Sequence, residues 1–209
     1  AQVWVDEGWV SHAVKIHAHD PESMAAWFQL GFGNRCIDAI KIVEQNQNQA
    51  HHLRIKKASK DDLEDLLDIK KDFGGYFESS PMFMKASLED AKNNILDWLE
   101  KDNHHQWILY QKEALVGMIK IEPNGETLIS RRDDTMNITG IYVKEAFRHM
   151  GLGKYLLDWL DNWLYKAGYR KCGVDYESFN IKGSNFWEKC FSPYTRTLSR
   201  RIDEEILEK

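Results

Sequence analysis

Apolar and polar positions alternate and recur along the chain in a readable order. Ser11–His19 alternates around Val14 and Ile16 and predicts a strand. Asp20 followed by Pro21 is a helix start, and Met24, Ala25, Trp27, Phe28 and Leu30 carry that helix to Gly31. Residues 37–43 (IDAIKIV) read as a strand and Asn46–His52 as a polar linker. A short strand begins at Leu53. Ser59 then caps a helix with Leu63, Leu66 and Leu67 on one face, although Asp62 is an imperfect capping-box partner. Residues 73–84, rich in glycine, aromatics and methionine, are expected to be a loop. Ser87 is expected to cap a helix through Leu88, Ala91, Ile95, Trp98 and Leu99. Two strands at 105–110 and 115–121 form a hairpin, and the charged run at 127–135 reads as a solvated loop. The C-terminal part reads as a strand at 171–179, a short helix at 183–190 and a last strand at 194–202.

The stretch Asn137–Leu164 organises the rest. It begins as a strand (Ile138, Ile141, Tyr142, Val143) and ends as a helix with Leu152, Leu156, Leu157, Leu160 and Leu164 on one face. Between them lies Arg148-His-Met-Gly-Leu-Gly153. Its glycines allow a sharp turn or a close approach of the main chain. A helix starting there offers unpaired N–H groups and the positive end of its dipole, and Arg148 and Lys154 add charge. That construction suits a pyrophosphate. It is neither a P-loop nor the three-glycine dinucleotide fingerprint.

ITGIYVKEAFRHMGLGKYLLDWL resembles the acetyl-CoA-binding motif of the GNAT acetyltransferase superfamily, whose core is R/Q-x-x-G-x-G/A. The resemblance implies an α/β fold: a twisted mixed sheet, mostly antiparallel, of about seven strands per complete unit, flanked by helices. It implies that Ile141, Tyr142 and Val143 pair with the pantetheine arm of acetyl-CoA. The pyrophosphate would sit on the amides of His149, Met150, Gly151, Leu152, Gly153 and Lys154, next to Arg148. The oxyanion donor would be the N–H of Ile141 or its neighbour. Asn180 stands where the family often reads N-x-x-A and would touch the pantetheine or order the loop; it suits a plain helix N-cap equally well. The family builds its acceptor pocket between its first two helices, which here points to residues 73–84.

Two departures stand out. The family's usual acid, a Tyr, aligns with Trp187, whose indole N–H is no practical acid, and Phe191 replaces a family glycine. Tyr176, Tyr155 and Tyr194 are the nearby phenols, undistinguished by spacing; Tyr176 is carried forward as a catalytic candidate. Glu122, at the end of the strand before the central one, is the candidate base. Asn137 and Thr139 could only position a water. The pairs His51–His52 and His104–His105 read as surface, since neighbours on a strand face opposite ways and cannot share a metal.

A shift of 160 residues carries Gly8 onto Gly168, Val14 onto Val174, Asp20 onto Asn180 and Trp27 onto Trp187, with the same order of elements. MAAWFQLGF at 24–32 itself resembles the last helix of a GNAT domain. Residues 1–48 are therefore expected to be the C-terminal remnant of a first unit, and 49–209 a complete second one. A remnant of strand, helix and strand closes no core alone. It is expected to dock on the second unit or another chain, burying Trp27, Phe28 and Ile40.

Composition narrows the function. The chain has 209 residues, 43% hydrophobic and 29% charged, with a net charge of −5, which argues against a general nucleic-acid binder. No apolar run approaches the roughly 20 residues of a membrane span. Cys36, Cys172 and Cys190 have neither disulfide nor zinc spacing, so the expectation is a cytoplasmic protein without a metal. The expected function is direct N-acetyl transfer from acetyl-CoA, the only co-substrate, to a primary amine on a small molecule or peptide. The alternative is a non-catalytic acyl-CoA-binding sensor or structural domain.

Overall fold

The leucine spacing of the central stretch is a helix, α5 (Leu152–Lys166), which buries Leu152, Leu156, Leu157, Leu160 and Leu164 along one side. The computed structural model describes residues 1–46 and 53–208. Before α5 come α1 (Gln2–Asp6), β1 (Ser11–His17), α2 (Pro21–Gln29), β2 (Gly33–Ile42), β3 (Leu53–Lys57), α3 (Leu63–Glu78), α4 (Ala91–Glu100), β4 (His105–Gln111), β5 (Ala114–Glu122) and β6 (Thr135–Val143). After it come β7 (Lys171–Glu177), α6 (Ile181–Trp187) and β8 (Ser192–Arg201). The eight described strands hydrogen-bond in the order β1-β8-β2-β7-β6-β5-β4-β3. The sheet is mixed: β6 and β7 are parallel, while β3–β4, β4–β5, β5–β6, β1–β8 and β2–β8 are antiparallel.

The chain divides into two compact units, Lys41–Val174 and Ala1–Ile40 with Asp175–Lys209. In the first, Leu66 and Ile69 of α3 and Ile95 of α4 pack on Ile108, Tyr110, Met118 and Tyr142 of the sheet. Trp107, the strand neighbour of Ile108, points the other way and meets Trp159 and Trp163 of α5 at ring distances of 5.1 and 4.9 Å. Helices thus cover both faces. Lys41 reaches the buried Asp161 of α5 and joins the end of β2 to that helix.

Two boundaries differ from the sequence reading. Residues 73–78 are not loop but the last turns of α3. The apolar spacing Leu66, Ile69, Phe73, Tyr76, Phe77 continues straight through Gly74 and Gly75, and tertiary packing overrides the weak helix propensity of glycine. A Cβ on Gly74 would lie 2.9 Å from the Ala86 Cβ, so the following loop needs the glycine to fold back on the helix. Helix α4 starts at Ala91, not after Ser87: Asp90 takes a left-handed turn (φ 53°) and Leu88 is exposed. The linker expected at Asn46–His52 lies, beyond Asn46, outside the described residues, as does His51–His52.

In the second unit β8 pairs with β1 along one edge and β2 along the other, and Thr195 donates a 2.6 Å hydrogen bond to the buried Asp38. Trp27 is half-buried against Phe32 and Ile40 half-buried, but Phe28 is 45% exposed, against expectation: α2 turns only part of its apolar stripe inward.

Local geometry recurs under the shift that carries Gly8 onto Gly168. The bonds Glu7 N to Val3 O, Gly8 N to Val5 O and Trp9 N to Trp4 O have counterparts in Ala167 N to Trp163 O, Gly168 N to Tyr165 O and Tyr169 N to Leu164 O. Both glycines are left-handed (φ 85° and 94°). Asp20 and Asn180 cap their helices alike, accepting from Ser23 N at 2.9 Å and Gly183 N at 3.0 Å.

Candidate active site

Three features lie along β6 and the turn that leads from it into α5. The first is a parallel ladder. β6 and β7 pair in parallel from Thr135–Lys171 to Ile138–Val174, and β6 itself runs on to Val143. The second is a β-bulge. On the β5 side the register passes from Lys120–Gly140 to Ile121–Ile138 and leaves Thr139 without a counterpart. A bulge bends its strand and interrupts pairing, and bulges concentrate beside active sites.

The third is the turn into α5. His149 and Gly151 both adopt left-handed conformations, φ 64° and 78°. Gly151 is the N-cap, and a Cβ there would meet no atom within 4 Å, so backbone conformation rather than crowding calls for glycine. Tyr155 is the first residue of the turn whose N–H is bonded, to Gly151 O at 3.0 Å. Among the described residues, the main-chain N–H groups of His149, Met150, Gly151, Leu152, Gly153 and Lys154 have no main-chain acceptor. Six donors at the start of a helix form a cradle for an anion.

Arg148 is partly committed. Its Nε donates to Val143 O at 3.0 Å, and its guanidinium lies 5.1 Å from the Tyr76 ring centre and 5.4 Å from that of Tyr142. It therefore braces the turn against α3 and β6. Lys144 adds a second brace, bonding Asp68 at 2.5 Å and Asp72 at 3.2 Å on α3. Those carboxylates hold its ammonium above its usual range. Lys154 is exposed and pairs with Asp158 one turn on. Of the strand residues, Tyr142 is buried, whereas Ile141 and Val143 are half-buried.

Glu122, the candidate base, sits 3.2 Å from His104 Nε2, and His104 Nδ1 is 2.9 Å from Asp102 O. A carbonyl only accepts, so Nδ1 donates there. The contact with Glu122 then needs a further proton on the imidazole or the carboxyl. His104 is not the surface residue the sequence reading made it: its ring packs on Trp98 at 4.6 Å. Nor is His105, which lies 4.9 Å from Trp163, with burial pushing its imidazole below the usual range. Lys120, on the same side of β5 as Glu122, lies 3.7 Å over the Trp98 ring, and burial pulls its ammonium down. Asn137 positions no water through its amide nitrogen, which donates to Pro123 O at 3.2 Å and Ser130 O at 3.0 Å and pins the β5–β6 loop.

The other candidates belong to the second unit. Asn180 caps α6. Tyr176 is 6% exposed, its ring stacks on Trp187 at 6.4 Å, and its hydroxyl has no protein partner. Burial pushes that phenol up to about 12. Trp187 and Phe191 are core residues in edge contact at 5.4 Å. The sequence reading missed Tyr76 and Lys144, and gave Thr139 no role beyond positioning a water. The aromatic spacing along α3 signals Tyr76; nothing local signals a bulge at Thr139. Among the described residues no cluster of His, Cys, Asp or Glu is arranged to hold a metal ion, and no helix is long and apolar enough to cross a membrane.

Comparison with known proteins adds the following. The profile described as "Acetyltransferase (GNAT) family" matches residues 66–191. A functionally unknown conserved protein from Staphylococcus epidermidis has a similar structure (TM-score 0.60, 15% identity, covering 97% of this chain and 77% of that one). The PaiA N-acetyltransferase from Thermoplasma acidophilum, solved with coenzyme A, matches at TM-score 0.54 and 15% identity over 72% of this chain and 99% of its own. An aminoglycoside acetyltransferase from an uncultured soil metagenomic sample, solved with sisomicin, matches at TM-score 0.53 and 17% identity over 66% of this chain and 86% of its own. At these identities the likeness concerns the fold.

Proposed function

Because the chain belongs to the GNAT acetyltransferase family, we propose that it transfers the acetyl group of acetyl-CoA directly to a primary amine. The observation that carries this reading is the run of N–H groups without main-chain acceptors at His149–Lys154, opening onto the N-terminus of α5. They fit the cofactor's pyrophosphate, with Arg148 bracing the turn from behind. Ile141, Tyr142 and Val143 take the pantetheine arm, and the N–H of Ile141 or its neighbour faces the thioester oxygen. In the transfer, the amine nitrogen bonds to the carbonyl carbon, the C–S bond breaks, and the departing sulfur takes up a proton while the amine gives one up.

Tyr176 is assigned the donor role, supported by a hydroxyl that stays protonated at neutral pH and has no protein partner. Glu122, with its His104 contact, is assigned the acceptor role. Asn180 is assigned to the pantetheine through the end of α6. The acceptor is a small-molecule amine; the sisomicin-bound acetyltransferase of related fold is a precedent. The net charge of −5 favours a cationic one through steering.

The test is calorimetric titration with acetyl-CoA, followed by thiol release over a panel of cationic amines. Binding without turnover across the panel would favour a second reading, an acyl-CoA sensor or structural domain. The burial of Trp187 and Phe191, where the family has Tyr and Gly, speaks for that reading.

We further propose that residues 1–48 are the C-terminal remnant of a first GNAT-like unit and 49–209 a complete second one. The hydrogen bonds shared between the surroundings of Gly8 and Gly168, and of Asp20 and Asn180, support this. Intact mass of the product of the full gene tests it: a first unit in full requires a longer polypeptide.

A further inference from the structure

We infer that the Thr139 hydroxyl holds the acceptor amine in line with the thioester, a positioning role that rests on the transferase reading above. Thr139 is the bulged residue of β6 and follows Ile138, which pairs with Val174 of β7. Its Oγ1 is buried and has no hydrogen-bond partner in the protein. A threonine hydroxyl on a strand ordinarily finds a carbonyl or a cross-strand side chain; one left unpaired in the interior costs stability and calls for an explanation. The bulge supplies the geometric half, because it leaves no β5 residue opposite Thr139. The strand supplies the chemical half, because Thr139 stands two residues before Ile141, in the stretch of β6 assigned to the thioester arm.

Next to it, Gly140 keeps the strand close to β5: a Cβ there would lie 3.2 Å from the Lys120 side chain. A neutral amine has one lone pair for attack and N–H groups to spare. Donating one N–H to Oγ1 fixes the direction of the lone pair, and the hydroxyl needs to move no proton.

Thr139→Val keeps the shape and removes the hydroxyl; Thr139→Ser keeps the hydroxyl. With the best amine from the panel, Thr139→Val should lower kcat/KM for the acceptor at least about tenfold and leave the acetyl-CoA Kd within about twofold. Its Tm should stay level or rise, because an unpaired buried polar atom has gone. Thr139→Ser should recover most of the activity. A structural hydroxyl gives the opposite pattern, a lower Tm with activity falling in step. Wild-type turnover with an equally active Thr139→Val, or a Ser variant as impaired as Val, overturns this inference alone. Wild-type protein that binds acetyl-CoA and acetylates no amine overturns the transferase reading and this inference with it.

Discussion

Gly151→Asp is the most direct probe of the anion cradle. Gly151 is left-handed at φ 78° with no atom near the position of a Cβ, so a side chain fits in space but at a conformational cost. For an ordinary L-residue that cost is roughly 1–2 kcal/mol, and it falls on folding. Asn and Asp tolerate this region better than most, so Gly151→Asn is the matched neutral control. The two variants differ by one charge. Opposite a phosphate about 6 Å away, at an effective dielectric between about 80 and 20, each charge pair costs about 0.7–2.8 kcal/mol. A pyrophosphate presents at least two such charges, so Gly151→Asp should bind acetyl-CoA at least about tenfold more weakly than Gly151→Asn, a difference of about 1.4 kcal/mol or more. The gap should narrow with added salt. Calorimetry on both folded variants measures it. Equal affinities for Asp, Asn and wild type would place the pyrophosphate elsewhere and remove the main support for the cofactor assignment.

Trp187→Phe should lower stability by about 1–3 kcal/mol, since the indole is buried between Tyr176, Phe186 and Phe191, and should leave the shape of the pH–rate profile alone. A lost basic limb would instead place the indole's surroundings in proton transfer. Gly117→Ala puts a Cβ 2.6 Å from Tyr142 O, a backbone atom that yields only if β5 and β6 part; urea unfolding should show a loss of about 1–3 kcal/mol, and an unchanged midpoint would refute the close approach. Burial raises the Tyr176 phenol from 10.0 to about 12, so the unfolded chain ionises first; the associated stability is complete below pH 10 and is lost as pH rises towards 12. Tyr176→Phe should therefore show a smaller fall in Tm than wild type across that window, and parallel curves would mean that the hydroxyl ionises alike in both states.

The sequence by itself determined what depends on near neighbours. The leucine stripe of α5 follows from 3.6-residue spacing, the caps at Asp20 and Asn180 from side chains reaching N–H groups three residues on, and the turns at Gly8 and Gly168 from a conformation glycine adopts without strain. For the same reason the 160-residue recurrence and the turn assigned here to the pyrophosphate were legible: both are written in local spacing. Even the capping box at Ser59 and Asp62, which looked imperfect, forms in full.

Tertiary structure decided what distant segments do to one another. Gly74 and Gly75 read as a loop because their propensity is poor; they are helical because Phe73, Tyr76 and Phe77 have partners on one another and on Tyr142. Glu122 read as a candidate base at a strand end, and only the hairpin brings His104 to it. The pairing of Asp38 with Thr195 spans most of the chain, and no local pattern encodes it. The bulge at Thr139 is a mismatch of register between two strands, and register exists only once both are in place. An isolated strand carries its own alternation but no record of which residue will stand opposite, so that the Thr139 hydroxyl lacks a partner became visible only in the folded sheet.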